Sequence, residues 1–250
     1  MSVKLVTASN LWIVAGAIRH SHYTLDGTDS FVPAKSYKRE ATCKQCGTCL
    51  NVGEDELYCS ACDKYYNKEQ HIGFADFNLI RKVGFHLNHS SVLEQTMITF
   101  DVEMSTKALL EESRHRIGLS QTVTSSRYAL DKIEIKFEPS PRVKVQQGLE
   151  TIKQIVTECL EAGEPLDEVA MLLPQAFIYE LRLSMNLRSL AHFLDLRLAK
   201  AAHRTIRKVA VEMVEALPED YKELLFDYKK GTIYKKYTAE YNKPFRKGKV

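Results

Sequence analysis

The alternation of apolar and polar residues predicts four strands in this chain. Met97–Glu103 alternates, and Lys132–Phe137 alternates in the same way just before a pair of prolines. Val3–Val6 and Phe177–Met185 are two further strand-like stretches. The strands are far apart in sequence, with helical patterns between them.

Apolar residues recur at helical spacing in three stretches, namely Ser9–Ser21, 77–87 and Lys144–Ala162. A further helix is predicted after Met97–Glu103, because Ser105 or Thr106 is a suitable N-cap. That helix would carry the sequence Arg-His-Arg, residues 114–116, at its C-terminal end, where the helix dipole favours cations.

One long helix is predicted from Leu187 to Leu217, since its apolar residues keep a helical period throughout. Arg188 and His192 are four residues apart and share a face, whereas Arg197 lies about half a turn out of phase. Polar groups on two faces could serve two sites, or one site on each of two packed subunits.

Two stretches place arginine among apolar and aromatic residues, Arg114–Tyr128 and Asn186–Arg197. Arginine stays charged, and its planar fork suits phosphates and flat anionic rings. A single arginine of this kind is more often part of a solvated helix surface with ion pairs. Two such stretches together favour a site for a flat anion such as a nucleotide or a flavin.

Composition indicates an ordinary globular protein, with 250 residues, 44% hydrophobic residues and a net charge of +3. Residues 229–250 carry eight Lys or Arg and one acid, so this basic tail could touch an acidic partner, although a solvated terminus is the simpler interpretation. No apolar run is long enough for a membrane span, and Leu11–Ile18 makes a poor signal peptide. We therefore expect a cytoplasmic protein without a membrane partner.

Five cysteines lie within one short segment, and four of them form two Cys-x-x-Cys pairs: Cys43, Cys46, Cys59 and Cys62. Four thiolates are typical of a closed, structural zinc site, since a catalytic zinc keeps one position open. The fifth thiol, Cys49, could replace Cys46 or stay free. Residues 31–75 are accordingly predicted to form a zinc-ribbon-like insert, in which binding of nucleic acid is open but not expected.

The arginine stretches resemble the flavin-dependent thymidylate synthases, the ThyX family. Its signature R-H-R, spacer, S-x-R-Y is similar to Arg114–Arg116 and Ser125–Tyr128, here with an eight-residue spacer. Its C-terminal signature N-x-R-S-L-x-x-F-L-x-L-R matches Asn186–Arg197 without gaps, and 89–95 is similar to its segment ending in S-V-L-E-H. An early A-x-R-x-S motif resembles 17–21.

This resemblance implies an α+β, ThyX-like fold, with a mixed or antiparallel sheet flanked by long helices. The catalytic domain would comprise residues 1–30 and 76–250, and 31–75 would be the insert. The implied reaction is reductive methylation of dUMP to dTMP with methylenetetrahydrofolate, FAD and NADPH. A homotetramer with active sites between subunits is implied as well.

Site residues follow from the same resemblance. Those implied for FAD binding are Ser91, Glu94, Arg114, His115, Arg116, Asn186, Arg188 and His192. Those implied for the nucleotide are Glu111, Arg114, Gln121, Ser125, Ser126, Arg127 and Arg197. Arg197 would face the uracil and is the implied catalytic residue.

Two departures from the family pattern leave the nucleotide open. Glu111 stands where the family favours Gln, and 169–174 lacks the Arg that helps to hold phosphate. One alternative is a ThyX-like enzyme that modifies C5 of another pyrimidine nucleotide. The other is a zinc-ribbon nucleic-acid-binding protein with a degenerate flavin site.

Overall fold

The structure, a computed structural model, describes residues 2–21, 42–43, 46–54, 56–67 and 71–227. The basic tail and most of the first part of the predicted insert lie outside these residues. The strands are β1 Val3–Ala8, β2 Asn51–Val52, β3 Glu56–Cys59, β4 Lys64–Asn67, β5 Ile98–Ser105, β6 Leu119–Val123 and β7 Ile178–Met185. The α-helices are α1 Trp12–Ser21, α2 Phe74–Ile80, α3 Thr106–Glu112, α4 Ser126–Ala129, α5 Val143–Glu161, α6 Leu166–Ala170, α7 Leu187–Arg197, α8 Arg204–Ala216 and α9 Glu219–Asp227.

An antiparallel sheet with strand order β1-β5-β7-β6 forms the centre of the molecule. β5 and β7 pair along their full length, from Ile98 opposite Met185 to Ser105 opposite Ile178. Alternate residues of both strands are buried, which is the pattern of a sheet with one face against a core. The core contains residues of α1, α2, α7, α8 and α9. The α+β architecture predicted from the sequence is confirmed.

Local signals account for several of the predicted elements. Ser105 caps α3, with its hydroxyl accepting a hydrogen bond from the backbone N–H of Ala108 at 3.4 Å. α2 continues into a π-helical turn, Arg81–His86, and a 3-10 helix, Ser90–Gln95, so the predicted helical pattern ends in irregular turns. Buried Asp76 on α2 forms an ion pair with Arg19 of α1.

A second sheet, β2-β3-β4, forms a small separate unit around Cys43, Leu50, Leu57 and Cys59. It is joined to the start of α2 through Thr42. The Thr42 carbonyl is 2.8 Å from Nε2 of His71, and its hydroxyl accepts a hydrogen bond from the Phe74 backbone at 3.1 Å. The cysteine segment is thereby tied to the main body.

The predicted strand Lys132–Phe137 is wrong. This stretch forms a single bridge, between Phe137 and Phe177, and is otherwise irregular. Ile133, Ile135 and Phe137 pack into a second apolar cluster with α5 and α6. The alternation therefore reflects burial against helices and not a strand ladder.

The predicted single helix Leu187–Leu217 is also wrong, because it is broken between α7 and α8. His203 has an extended backbone, and its side chain accepts a hydrogen bond from the Thr205 N–H, which starts α8. Leu198, next to the break, is still buried. The apolar period continues through the turn, so periodicity alone could not reveal the break.

The eight-residue spacer between the two parts of the first arginine motif contains the edge strand β6, which the sequence analysis missed. Gly118 turns the chain into this strand with a φ of +65°. Its carbonyl accepts a hydrogen bond from the Asn186 N–H at 3.1 Å, and the Ser189 hydroxyl donates to the Ile117 carbonyl at 2.7 Å. The turn is thus fixed to the start of α7.

Replacing Gly118 with alanine is expected to destabilise the protein by about 2–4 kcal/mol, through the positive φ and overlap of the new Cβ with Asn186 and Ser189. Gly148, inside α5, is the matched control. Its Cβ would meet nothing within 4 Å, so Gly148→Ala should stabilise by about 0.5–1 kcal/mol. Urea unfolding measures both variants, and a Gly118→Ala protein as stable as the wild type would contradict this account.

Candidate active site

Arg197, at the end of α7, joins the two arginine stretches. Its Nε donates to Nε2 of His115 at 2.9 Å. Its two terminal nitrogens donate to the Glu111 carboxylate at 2.9 Å and to the Glu111 carbonyl at 2.6 Å. The guanidinium therefore caps the C-terminal end of α3, where the helix dipole favours a cation. Only 13% of the side chain is exposed, so the pair with Glu111 is largely shielded from water.

His115 is half-buried between α7 and the end of α3. Burial, followed by the positive charge of Arg197 and the neighbouring imidazole of His192, lowers the pKa of His115 to about 4. The ring is therefore neutral near pH 7. Because Nε2 accepts from Arg197, the proton of the neutral ring belongs on Nδ1, which can donate to a ligand.

His192 and Arg197 contact the same imidazole. The His192 ring lies edge-on to the His115 ring, with centroids 5.7 Å apart. The predicted groups on two faces of the helix therefore converge on one surface. Arg114 extends this surface, since it lies 3.3 Å from the Glu111 carboxylate while its side chain is 69% exposed.

Other residues predicted to contact the flavin lie around the start of α7. Arg188 forms an ion pair with Glu94 at 2.5 Å, and both side chains are substantially exposed. Asn186 is buried, and its side-chain oxygen accepts a hydrogen bond from the Ser189 N–H at 2.9 Å. Asn186 thus has a structural role as the N-cap of α7. Ser91, in the 3-10 helix, is exposed.

The residues predicted for the phosphate side stand apart from Arg197. Ser125 precedes α4, Ser126 and Arg127 lie on it, and Gln121 is on the exposed edge strand β6. Arg116, in the same stretch of sequence, is exposed as well. Among the described residues, no hydrogen bond or ion pair links Ser125, Ser126 or Arg127 to the Arg197 cluster.

Arg114 and His192 provide the exposed part of the surface around Arg197. A cleft of about 270 Å³ lies elsewhere, between Ala8–Leu11, 64–66, His71 and the start of α9. None of the predicted site residues lines that cleft. We therefore assign the candidate site on the chemistry of the Arg197 surface and not on the size of a cavity.

The four predicted zinc ligands come together. The Sγ atoms of Cys43, Cys46, Cys59 and Cys62 all lie within 4.8 Å of one another. Two of the separations are 3.9 Å (Cys43 to Cys62) and 3.6 Å (Cys46 to Cys59). Tetrahedral zinc with Zn–S bonds of about 2.3 Å requires sulfurs about 3.8 Å apart. The donor set therefore fits zinc.

Cys49 does not belong to this group, and its thiol is exposed. The Tyr66 hydroxyl lies 3.1 Å from the Cys43 sulfur and can support it from outside the ligand set. The predicted insert, residues 31–75, contains six Lys or Arg and six acids, so it has no excess of positive charge for a polyanion such as nucleic acid.

Sequence reasoning missed two residues that shape the site. Gly118 fixes the turn against α7. The one feature of the sequence that could have indicated this turn is a glycine placed between the first arginine motif and a strand-like run. Glu112 is completely buried beside the Arg197 cluster. A glutamate near the end of a helix is normally exposed to solvent, so nothing in the sequence indicated that Glu112 is buried.

Comparison with known proteins identifies relatives of the whole site region. The family model for "Thymidylate synthase complementing protein" matches residues 35–220. Flavin-dependent thymidylate synthases of Wolinella succinogenes and Campylobacter jejuni are 33% and 34% identical over 178 and 176 residues. These alignments cover 65% and 64% of this chain and 87% and 84% of the relatives.

A crystal structure of ThyX from Helicobacter pylori with FAD and dUMP has a similar fold. The TM-score is 0.68 at 24% sequence identity, over 92% of this chain and 100% of that one. This likeness confirms the predicted ThyX-like fold. The family model and the curated relatives agree with the resemblance inferred from the arginine motifs.

Replacing Arg197 with lysine should lower the free energy of unfolding by about 2–3 kcal/mol, because one ammonium cannot reach three acceptors on two residues. Arg182 is the matched control. It forms a two-bond fork with Asp101 at 2.8 and 3.0 Å, but both side chains are about half exposed. Arg182→Lys should cost less than about 1 kcal/mol. Equal losses in urea unfolding would contradict the shielding of the Arg197 cluster.

Proposed function

Because this chain belongs to the family of thymidylate synthase complementing proteins, we propose that it is a flavin-dependent thymidylate synthase that converts dUMP to dTMP. The observation that carries the proposal is the junction of Arg197 with His115 and Glu111. It brings the two arginine motifs to one surface with the charge and planar donors that a pyrimidine and a flavin require.

In the proposed reaction, methylenetetrahydrofolate donates a one-carbon unit to C5 of dUMP. FAD, reduced by NADPH, supplies the reducing equivalents when bound. The chain's own residues then bind and orient the reactants, and the protein contributes electrostatic support. The absence of any cysteine among the proposed site residues agrees with a reaction that requires no protein thiol.

Arg197 is proposed to face the pyrimidine ring. Arginine has five N–H donors, and three are used by His115 and Glu111, so two stay available for a ligand. Glu111 holds the fork in one orientation. The positive charge would stabilise negative charge that develops on the ring as C5 becomes nucleophilic. Neutral His115 would offer its Nδ1–H beside it.

The exposed cations are proposed to hold the flavin. Arg114, Arg116 and Arg188 present charged forks on the open side of the site, which suits the diphosphate of FAD. Ser91, Glu94 and His192 would add polar contacts. Asn186 would act mainly as the N-cap of α7, which fixes the start of the helix that carries Arg188 and His192.

The nucleotide phosphate is proposed to bind at Ser125, Ser126 and Arg127, with Gln121 nearby on β6. The two hydroxyls and the arginine fork are suitable donors for phosphate oxygens. Since no contact joins this group to Arg197 within the described part of one chain, the site would be completed by a second copy. We accordingly propose a homotetramer with active sites between subunits.

Domain boundaries and location are proposed as follows. Residues 1–30 and 76–250 would form the catalytic domain, and 31–75 the cysteine insert.

None of the helices in the described ranges is long and apolar enough to cross a membrane. We propose a cytoplasmic location and an ordered, structural zinc at Cys43, Cys46, Cys59 and Cys62.

Two departures from the family pattern favour a second candidate function. Glu111 presents a carboxylate to Arg197 at the position where the family favours Gln, and residues 169–171 contain no arginine. Either change could alter which pyrimidine or phosphate is accepted. The second candidate is therefore a ThyX-like enzyme acting at C5 of another pyrimidine nucleotide.

Purified protein is expected to bind FAD and to form dTMP from dUMP, methylenetetrahydrofolate and NADPH, as measured by mass analysis of the nucleotide. The Arg197→Ala variant is expected to lose at least about 100-fold in turnover, because a charge-stabilising donor is removed. Flavin-loaded protein that oxidises NADPH but forms no dTMP would favour the second candidate. Protein that neither binds FAD nor oxidises NADPH would contradict both.

Metal content tests the cysteine site separately. Wild-type protein and Cys49→Ser should each contain about one zinc per chain, whereas Cys43→Ser should lose it, because tetrahedral zinc needs all four thiolates. Elemental analysis after dialysis gives the ratio, and limited proteolysis should show loosening confined to the cysteine segment. Zinc retained by Cys43→Ser, or lost by Cys49→Ser, would show that the ligand set is wrong.

A further inference from the structure

Glu112 is the last residue of α3 and is completely buried. Neither of its carboxylate oxygens has a hydrogen-bond partner among the residues that the structure describes. Buried polar groups are nearly always paired, and a buried, unpaired carboxylate is costly when ionised. This residue therefore requires an explanation that packing alone does not give.

The charged groups around Glu112 are few. Arg197 of α7 is the one charged side chain, among the described residues, that acts on its titration, and it does so without a hydrogen bond. The carboxylate of the preceding residue, Glu111, is paired with Arg197 and Arg114.

Two other elements pack against α3. From α8 come His203, at its N-cap, and Arg207, whose Nη1 donates to the Lys200 carbonyl. From β5, the acids Asp101 and Glu103 form ion pairs elsewhere, with Arg182 and Lys136. None of these groups neutralises Glu112.

Burial raises the pKa of Glu112 to about 7, and the positive charge of Arg197 opposes this only in part. The position at the C-terminal end of α3 acts in the same direction as burial, since the helix dipole disfavours an anion there. The side chain is therefore a neutral acid below about pH 7 and an anion above it.

The charge of the Arg197 surface depends on this proton. Arg114 and Arg197 contribute two positive charges, Glu111 one negative charge, and His115 is neutral. Ionisation of Glu112 therefore lowers the net charge of this surface by one unit, next to Arg197.

We propose that Glu112 is a positioning residue that controls, through Arg197, how strongly this surface binds an anionic pyrimidine nucleotide. In its neutral form it leaves the Arg197 charge available to the ligand. In its ionised form it competes for that charge from the buried side. This inference rests on the proposed function, because it assigns the nucleotide to the Arg197 surface.

The test compares binding of dUMP to flavin-loaded wild-type protein and Glu112→Gln by titration calorimetry at about pH 6 and about pH 8.5. Gln has the same shape as neutral Glu and cannot ionise. Affinities should agree at the lower pH, and at the higher pH the variant should bind about fivefold tighter, since a buried charge near Arg197 acts at low effective dielectric. The phosphate of dUMP titrates equally in both proteins.

Glu161→Gln is the matched control, since Glu161 is an exposed helix glutamate on α5 and should leave the wild-type profile unchanged. Should Glu112→Gln fail to fold, Glu112→Met, which is also uncharged, is expected to show the same gain in affinity over wild type at the higher pH and agreement with it at the lower pH. Wild-type and variant profiles that run parallel would overturn the proposal.

Difference infrared spectra of the ligand-free proteins provide an independent readout. Between the two pH values, wild-type protein should lose the C=O band of one buried carboxylic acid that Glu112→Gln lacks. A missing band would overturn the inference. The band can be present although neither the wild type nor the variants bind dUMP. That result would contradict the proposed nucleotide site and would still support a protonated Glu112.

Discussion

The Arg197 guanidinium joins two stretches of the chain that are distant in sequence, α7 and the end of α3 with the residues that follow it. It lies at the end of α7, bonds the carboxylate and carbonyl of Glu111 at the end of α3, and donates to His115 in the segment that follows. Because this cluster is mostly shielded from water, removal of one partner would leave a charge poorly solvated. The position of each group in the candidate site therefore depends on the other two, and their geometry is fixed before a ligand arrives.

The rest of the fold keeps these segments in register. The antiparallel pairing of β5 with β7 sets the start of α3 and of α7 at opposite ends of two neighbouring strands. Gly118 then closes the return loop onto Asn186, so that the edge strand β6 leaves the site along β7. The cysteine segment lies outside this arrangement and is attached through Thr42 to α2.

Sequence reasoning succeeded where the signal was local or carried by a motif. Strand alternation located β5, and Ser105 marked the start of α3. It failed where distant contacts decided the outcome. The alternation of Lys132–Phe137 is satisfied by helices, and the break before α8 is made by the side chain of His203. The same limit applies to the site, since the motifs named Arg197 and His115, whereas the burial of Glu112 appears only in three dimensions.

The most direct test of the central claim is a crystal structure of this chain with FAD and dUMP. The account predicts the pyrimidine ring within hydrogen-bond distance of the free N–H groups of Arg197. It also predicts the flavin along Arg188 and His192, and the Glu111 and His115 bonds retained. A nucleotide bound away from Arg197, or an Arg197 side chain released from both partners, would contradict the claim that the two arginine motifs form one preorganised site.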